Sequence, residues 1–517
     1  MKQGRTLKQK AQDFLTGRRV DKAASDGRCG PMSGKKVLLL YPPISKMERY
    51  SSAIGSAGGQ QIPLGVLYLA SSLLEAGYEV EVIDAEVEHL SADDVLRRVR
   101  GYGPDYIGIS STTVAFHRAC EAAELFKKDG VEAPVILGGP HASADVRGAM
   151  SQAAFDYAVV GEGEETIVEL LDSLAEGRPL EQVTGIAFRD ERGGLVMNPP
   201  RDYIGDIDSI PFPAYDLIGD MSSYVPPPSN YRTLPVINMI TSRGCPSNCT
   251  FCDRSVFGQK YRQRSAESTV AEIKYLRERH GVREIAFVDD CFMLSKKRIH
   301  EIFDLLESEG IQVSWTCMSR VGNIDYEFLK YIKSKGCWHI SYGIESGDPG
   351  ILETIRKNIS LEKVEQVISW CSELGIRTKG FFILGHPGET VETLDRSIDL
   401  ACRLKLDDLV ATINTPMKGS DQYAEIDKYG RLDETDLSRF NYWEPVFVPE
   451  GLTSEILMAK HREMYRRFYL RPRVLARYFL SFFSRGGSKR FYSLLRASLY
   501  VLKPGSGKRD VPEGEAS

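Results

Sequence analysis

Short apolar runs, continuous at 36–41 and similar elsewhere, recur along the first third of the chain. Residues 36–41, 79–83, 106–110, 135–138 and 157–161 each read as a strand buried on both faces. Between them lie stretches with the apolar period of helices, at 64–76, 92–100, 115–128, 142–150 and 165–174. Five strands alternating with helices predict a doubly wound parallel sheet, whose ligands bind beyond the strands' carboxyl ends. A second series follows. Strand runs at 235–240, 284–288, 312–317, 339–343, 380–384 and 409–413 alternate with helical patterns at 265–280, 296–308, 326–334, 361–374 and 391–404. Six such βα units predict a partial, open (β/α)6 barrel, with its site at the C-terminal mouth.

The fold class is therefore α/β, in five segments. Residues 1–34 read as a flexible arm and 35–177 as the doubly wound domain. Residues 178–230 are a linker with a small hairpin across 180–198 and proline punctuation at Pro211, Pro213 and Pro226–Pro228. The barrel takes 231–443, and 444–517 form a helical, basic and aromatic C-terminal segment.

Composition narrows this little: of 517 residues, 42% are hydrophobic and 26% charged, with a net charge of -5, which suits a large core and does not point to nucleic acid. Ten cysteines, three of them clustered, fit a reducing cytoplasm better than a disulfide-stapled scaffold. Residues 1–28 are basic and polar without a signal peptide's apolar core, and no run is long enough to span a bilayer. From Met464 to Lys503 there is no Asp or Glu, while Arg and Lys alternate with Phe468, Tyr469, Phe479, Phe482, Phe483, Tyr492 and Tyr500. Such a segment either packs over the barrel's open side or lies on an anionic membrane surface. Gly505–Lys508 is no phosphate loop, because the upstream glycine is missing and Arg509 replaces Ser/Thr.

The chemistry concentrates in one loop. Arg243-Gly244-Cys245-Pro246-Ser247-Asn248-Cys249-Thr250-Phe251-Cys252 follows the first barrel strand and places three thiols at C-x3-C-x2-C spacing at the mouth. Three thiolates can hold three irons of a cubane and leave the fourth iron open. A zinc site would want four ligands. Cys291 or His280 could complete one, but neither belongs to a paired motif. Cys291 and Cys317 read as core or site-lining thiols. Polar residues end the other barrel strands: Asp289-Asp290, Ser319-Arg320, Gly343 to Gly347, and Gly385 to Thr390.

The cysteine spacing, with Phe251 before the last thiol, resembles the radical S-adenosylmethionine (radical SAM) superfamily. That resemblance implies a 4Fe–4S cluster on Cys245, Cys249 and Cys252. It implies SAM held by Phe251, Asp289, Asp290, Arg320 and Glu345, with Gly385 and Gly388 letting the backbone approach the adenosyl group. Carboxylates suit an ammonium and sugar hydroxyls, and a guanidinium suits a carboxylate. With no second cysteine triad, an auxiliary cluster and a methylthiotransferase are not expected.

The first domain's strand ends are small, Ser110-Ser111-Thr112-Thr113 and Gly138-Gly139-Pro140, and the chain also carries Pro63-Leu64-Gly65, His141 and Gly161-Glu162-Gly163-Glu164. Together they resemble the cobalamin-binding domain that precedes many radical SAM domains. The resemblance makes Ser110, Ser111, Gly138, Gly139, Gly161 and Gly163 candidates for lining a corrin. The cobalt-ligating histidine of the better-known cobalamin domains is missing, since the loop 42–59 has no histidine. His117 and His141 read as helix-start residues. Gly161 to Thr166 lacks the third glycine of a dinucleotide fingerprint and reads as a helix start with acids in its first turn. A flavodoxin-like domain that merely packs on its neighbour is the alternative.

The resemblance as a whole implies a cobalamin-dependent radical SAM methyltransferase. It would act on an unactivated carbon or on phosphorus of a small-molecule or lipid-like substrate, with a flavodoxin or ferredoxin as electron donor. Two other readings stay open: a radical SAM cyclase or oxidase like the anaerobic magnesium-protoporphyrin ester cyclases, and a non-enzymatic cobalamin- or SAM-responsive protein.

Overall fold

The computed structural model describes residues 34–54, 58–322 and 324–476. The N-terminal arm and the basic, aromatic stretch beyond 476 lie outside the described residues. The first sheet contains β1 (Lys36–Tyr41), β2 (Glu79–Asp84), β3 (Tyr106–Ser110), β4 (Val135–Gly138) and β5 (Tyr157–Val159), all parallel, in the order β2-β1-β3-β4-β5. This is the doubly wound sheet that the apolar runs predict. The hairpin of β6 (Ile186–Arg189) and β7 (Leu195–Met197) adds two antiparallel strands beside β5. The start of the linker thus belongs to the first sheet.

The sheet's faces are buried differently. Leu38, Leu40, Ile107 and Ile109 form a core under the helices Ala92–Tyr102 and Phe116–Lys128, against which Leu437, from beyond the barrel strands, also packs. Val37, Leu39 and the helices Leu64–Ala76 and Gly163–Glu176 join a core that runs through linker residues Ile204, Ile207, Ile210 and Tyr215 into the barrel. The two α/β units therefore share one apolar core. Polar contacts pin the same junction. Ile62 N–H donates to Asn238 Oδ1 at 3.1 Å, and Asn238 Nδ2 donates back to the Ile62 carbonyl at 3.0 Å. Tyr215 Oη donates to the buried Glu272 at 2.8 Å.

The second sheet holds β8 (Val236–Met239), β11 (Glu284–Phe287), β12 (Ser314–Ser319), β13 (Cys337–Glu345), β14 (Arg377–Leu384) and β15 (Asp408–Ile413), parallel and in sequence order. Between β8 and β11 sits a short antiparallel ribbon, β9 (Ser242–Arg243) with β10 (Arg262–Gln263). A last pair, β16 (Gly430–Leu432) and β17 (Phe447–Pro449), follows the barrel.

Six strands do not close a barrel, so β15 presents a free edge, a surface that proteins cover or disguise. The helix Ser454–Tyr469 covers it. Tyr465 Oη donates to the Ala411 carbonyl at 3.1 Å and accepts from Ala411 N–H at 3.0 Å. Leu457, Met464 and Phe468 of this helix are buried. The described part of the C-terminal segment thus packs on the barrel. No helix among the described residues is long and apolar enough to cross a membrane.

Candidate functional site

The ribbon β9–β10 closes the loop that carries Cys245, Cys249 and Cys252. Gly244 sits at φ 83°, and a Cβ there would lie 2.4 Å from the Lys260 carbonyl, so this close turn requires glycine. The three thiols are not disulfide-bonded. Cys245 Sγ lies 3.3 Å from Cys291 Sγ. Its thiol is pushed down to about 5, first by sharing that proton and then by backbone and side-chain bonds from Ser247 and the charge of Arg320. The Cys249 thiol is pushed down to about 6, first by Cys252, with Lys357 and Arg320 assisting. Cys252 and Cys291, the proton-holding partners, are pushed up. Among the described residues no three metal-ligating side chains converge on one ion. Three thiols spread along one loop with no disulfide among them suit a multi-iron cluster, whose irons each take one thiolate.

Arg320, just past β12, stands over this loop. Its Nη1 donates to Cys249 Sγ at 3.3 Å and its Nη2 donates to the Lys357 carbonyl. Lys357 Nζ in turn donates to Glu345 Oε1 at 2.5 Å and lies 5.8 Å from the Phe251 ring. Glu345 ends β13 at φ 68°, a left-handed conformation that costs a non-glycine residue strain, beside a register irregularity between Gly343 and Glu345. The fold thus brings Arg320, Glu345 and Phe251 from three strand ends into one connected group beside the thiols. Phe251 also meets the His386 ring, 5.6 Å away.

Gly385 and Gly388 end β14 at φ 92° and 80°. A Cβ on Gly388 would meet nothing within 4 Å, leaving its backbone open to a ligand. A Cβ on Gly385 would make ordinary contact with Leu457 of the covering helix at 3.4 Å, so it is the φ of 92° rather than close packing that favours glycine there. Glu389 turns back to accept from the Gly385 and His386 N–H groups, and burial pushes its carboxyl up to about 8.

The two aspartates that end β11 part company. Asp290 is exposed at the mouth, its carboxyl pushed up to about 6 by desolvation and then by Cys245. Asp289 is 1% exposed and faces the chain itself. Its Oδ1 accepts from Thr241 N–H at 3.0 Å, Thr241 Oγ1 at 2.8 Å and Ser242 Oγ at 2.5 Å. The buried Arg298 guanidinium lies 4.0 Å away and donates to Thr241 Oγ1 at 2.7 Å. Asp289 therefore anchors the residues that lead into the cysteine loop.

In the first domain, Cβ atoms on Gly138 or Gly161 would meet nothing within 4 Å, so these two strand-end backbones border open space, as does Gly65 in the first turn of the helix Leu64–Ala76. Gly139 is different: its Cβ would lie 2.8 Å from Ser110 Oγ and 2.9 Å from Ser111 N, so these three residues pack on one another. A Cβ on Gly163 would strike Leu69 at 2.9 Å, which makes it a helix-packing glycine. Two open strand-end glycine backbones suit the flat face of a corrin, which needs close backbone approach rather than side-chain donors. His141 is buried against Phe116, and His117 Nε2 is 3.1 Å from Glu48 Oε1.

Sequence reasoning did not find Tyr442. It sits at φ 69° and is 44% exposed, and its N-terminal neighbour Asn441 accepts from the Trp443 and Glu444 N–H groups. The Tyr442 carbonyl accepts from Ile413 N–H at 2.8 Å, which fixes it beside the end of β15 at the barrel's mouth. An aromatic residue in an acid-rich loop carries no sequence signal of its own.

Two protein families are matched by the chain. The model of the radical SAM superfamily matches residues 239–401, and that of the B12-binding domain matches 50–171. A methyltransferase of Pyrococcus horikoshii whose substrate its name does not state is 35% identical over 449 residues, 86% of this chain and 94% of that one. The anaerobic magnesium-protoporphyrin IX monomethyl ester cyclase of Rubrivivax gelatinosus is 27% identical over 486 residues, 90% of this chain and 85% of that one. The structure of the radical SAM methyltransferase TsrM from Kitasatospora setae, with cobalamin and a 4Fe–4S cluster bound, shares the fold at TM-score 0.66 and 18% identity, covering 91% of this chain and 99% of that one. The chain is a member of the radical SAM superfamily. Within it, the chain belongs to the branch that joins a B12-binding domain to the radical SAM domain, and its cofactors are a 4Fe–4S cluster, SAM and cobalamin.

Proposed function

We propose that this enzyme methylates an unactivated carbon, or a phosphorus, of a small-molecule or lipid-like substrate, consuming two SAM molecules per product. When bound, the cluster with SAM supplies hydrogen-atom abstraction and cobalamin supplies the methyl group. The chain's own part is to hold these groups, orient them and keep water out. Cys245, Cys249 and Cys252 take three irons, and Arg320 sets its positive charge against Cys249. Asp290, Arg320, Glu345, Phe251 and Gly388 are the residues we assign to SAM. Gly138 and Gly161 are the backbones we assign to the corrin. With no histidine in 42–59, no imidazole from that loop reaches cobalt. A flavodoxin or ferredoxin in a reducing cytoplasm would supply the electrons.

The observation that carries this reading is the contact between the two mouths: Glu162, just past β5, pairs with Arg243 at the start of the cysteine loop. The loop leading into the helix Leu64–Ala76 is hydrogen-bonded to Asn238 of β8, the strand that runs into the cysteine loop. A substrate between the two mouths meets both reactive groups, and such proximity supplies much of the rate. The test is stoichiometry. With an accepted substrate and SAM bearing a deuterated methyl group, labelled product should form with S-adenosylhomocysteine and 5′-deoxyadenosine in equal amounts. 5′-Deoxyadenosine with an unlabelled, dehydrogenated or oxygenated product would favour the cyclase reading instead.

A further inference from the structure

Arg243 stands two residues before the first cluster thiol and Arg262 pairs with it across the ribbon β9–β10, so the two arginines flank the neck of the cysteine loop. Both reach into the first domain. Arg243 Nη1 donates to Glu162 Oε1 at 2.8 Å and its Nη2 to Glu164 Oε1 at 2.5 Å. Arg262 Nη1 donates to the other oxygen of Glu162 at 2.6 Å. These side chains are 3%, 3%, 3% and at most 9% exposed. The Arg243 guanidinium is also held between two rings, 5.1 Å from Tyr68 and 5.0 Å from Phe257. Glu162 Oε2 accepts once more, from Ile204 N–H at 2.9 Å.

The carboxylates come from a loop with its own task. Glu162 lies between Gly161, whose backbone borders the open strand ends at φ 82°, and Gly163, which packs on Leu69. A helix start needs no buried acid before its first turn, and an ion pair this deep is retained only when its geometry is tightly met. One carboxylate shared by two arginines from opposite ribbon strands, with a second carboxylate on one of them, leaves that neck little freedom.

We propose that Glu162, Glu164, Arg243 and Arg262 are a clamp of positioning residues. It fixes the separation between the corrin-bearing strand ends and the cluster-bearing loop, and thereby couples hydrogen abstraction to methyl delivery. This rests on the function proposed above. A displacement of the cluster by an ångström relative to the corrin would matter, because reacting atoms must meet at near-contact distance.

The test uses the full-length chain loaded with the reduced cluster and cob(II)alamin, both paramagnetic. The magnetic interaction between the two spins reports their separation. The wild type should give one narrow distance. Glu162→Gln with Glu164→Gln should broaden that distribution while iron and cobalamin contents stay at wild-type levels. Glu164→Gln alone, which leaves Glu162 bridging both arginines, should broaden it less and serves if the double variant does not fold. A lower melting temperature with an unchanged distance distribution would overturn the proposal, since a salt bridge that only stabilises the fold would behave that way. Failure of the wild type to take up cobalamin would instead defeat the functional reading, so the two failures are distinguishable.

Discussion

Removing the Asp289 carboxylate tests the idea that the cysteine loop is anchored from behind. Its Oδ1 takes three hydrogen bonds from Thr241 and Ser242, and the Arg298 guanidinium has this carboxylate as its ion-pair partner within 4.0 Å. In Asp289→Ala, Arg298, only 1% exposed, keeps its hydrogen bonds but loses its counter-charge, a change that costs about 3–5 kcal/mol when a buried pair is broken. Burial pushes the Asp289 carboxyl up, so ionising it has its own cost, and the lower end of that range applies. Asp289→Asn keeps the shape and an acceptor oxygen but turns three charge-assisted bonds into neutral ones, each weaker by about 1 kcal/mol. The expected loss is then about 2–3 kcal/mol. Anaerobic urea and thermal melts followed by circular dichroism should rank wild type above Asn above Ala. Iron bound per chain should fall in the same order, because Thr241 and Ser242 lead directly into Arg243-Gly244-Cys245. An Ala variant within about 0.5 kcal/mol of wild type, the range of an ordinary surface change, would refute the anchoring role.

Replacing Cys245, Cys249 and Cys252 together by Ala should abolish the absorbance near roughly 400 nm of thiolate-ligated iron and sulfide, and a full iron complement in that variant would contradict the assignment. Glu389 carries a pH signature. Its carboxyl is pushed up to about 8, so the folded chain keeps a proton that the unfolded chain releases near about pH 4.3. Its stabilising contribution is complete below that lower value and is lost as pH rises to about 8. Glu389→Gln should therefore flatten the fall in melting temperature between these limits, and an unchanged slope would count against it. For cobalt, the electron paramagnetic resonance spectrum of the bound cob(II)alamin should lack nitrogen splitting from a protein imidazole, and observing such splitting would mean that a histidine outside 42–59 reaches the metal.

The central strands β1 and β3 were legible because each is a nearly continuous apolar run, as burial on both faces of a parallel sheet demands, whereas the edge strand β2 alternates Glu and Val. The cysteine loop was legible because its spacing is local. The features that sequence reasoning missed are all long-range. Glu162 and Glu164 carry the marks of dipole-favoured acids at a helix start, and the Arg243 that claims them is 81 and 79 positions away. Asp289 reads as a mouth residue like Asp290, yet its partners Thr241 and Ser242, 48 and 47 positions back, turn it inward. Alternation along β11 places neighbouring side chains on opposite faces, but past the strand's end that rule no longer says which aspartate faces the cleft. Cys291 lacks any motif, and only folding brings its sulfur to 3.3 Å from that of Cys245. The 180–198 hairpin was visible from its turns, whereas its docking beside β5 depends on an edge that the local sequence does not encode.

The most direct test of the central claim needs no knowledge of the substrate. The protein, reconstituted anaerobically with iron, sulfide and cobalamin, is given SAM with a deuterated methyl group and a low-potential reductant, and the corrin is then extracted and weighed. Deuterated methyl on the protein-bound cobalamin, accompanied by S-adenosylhomocysteine and by 5′-deoxyadenosine, is the predicted result. An unlabelled corrin with 5′-deoxyadenosine as the sole SAM-derived nucleoside would contradict methyl transfer, and absence of both nucleosides would contradict enzymatic turnover altogether.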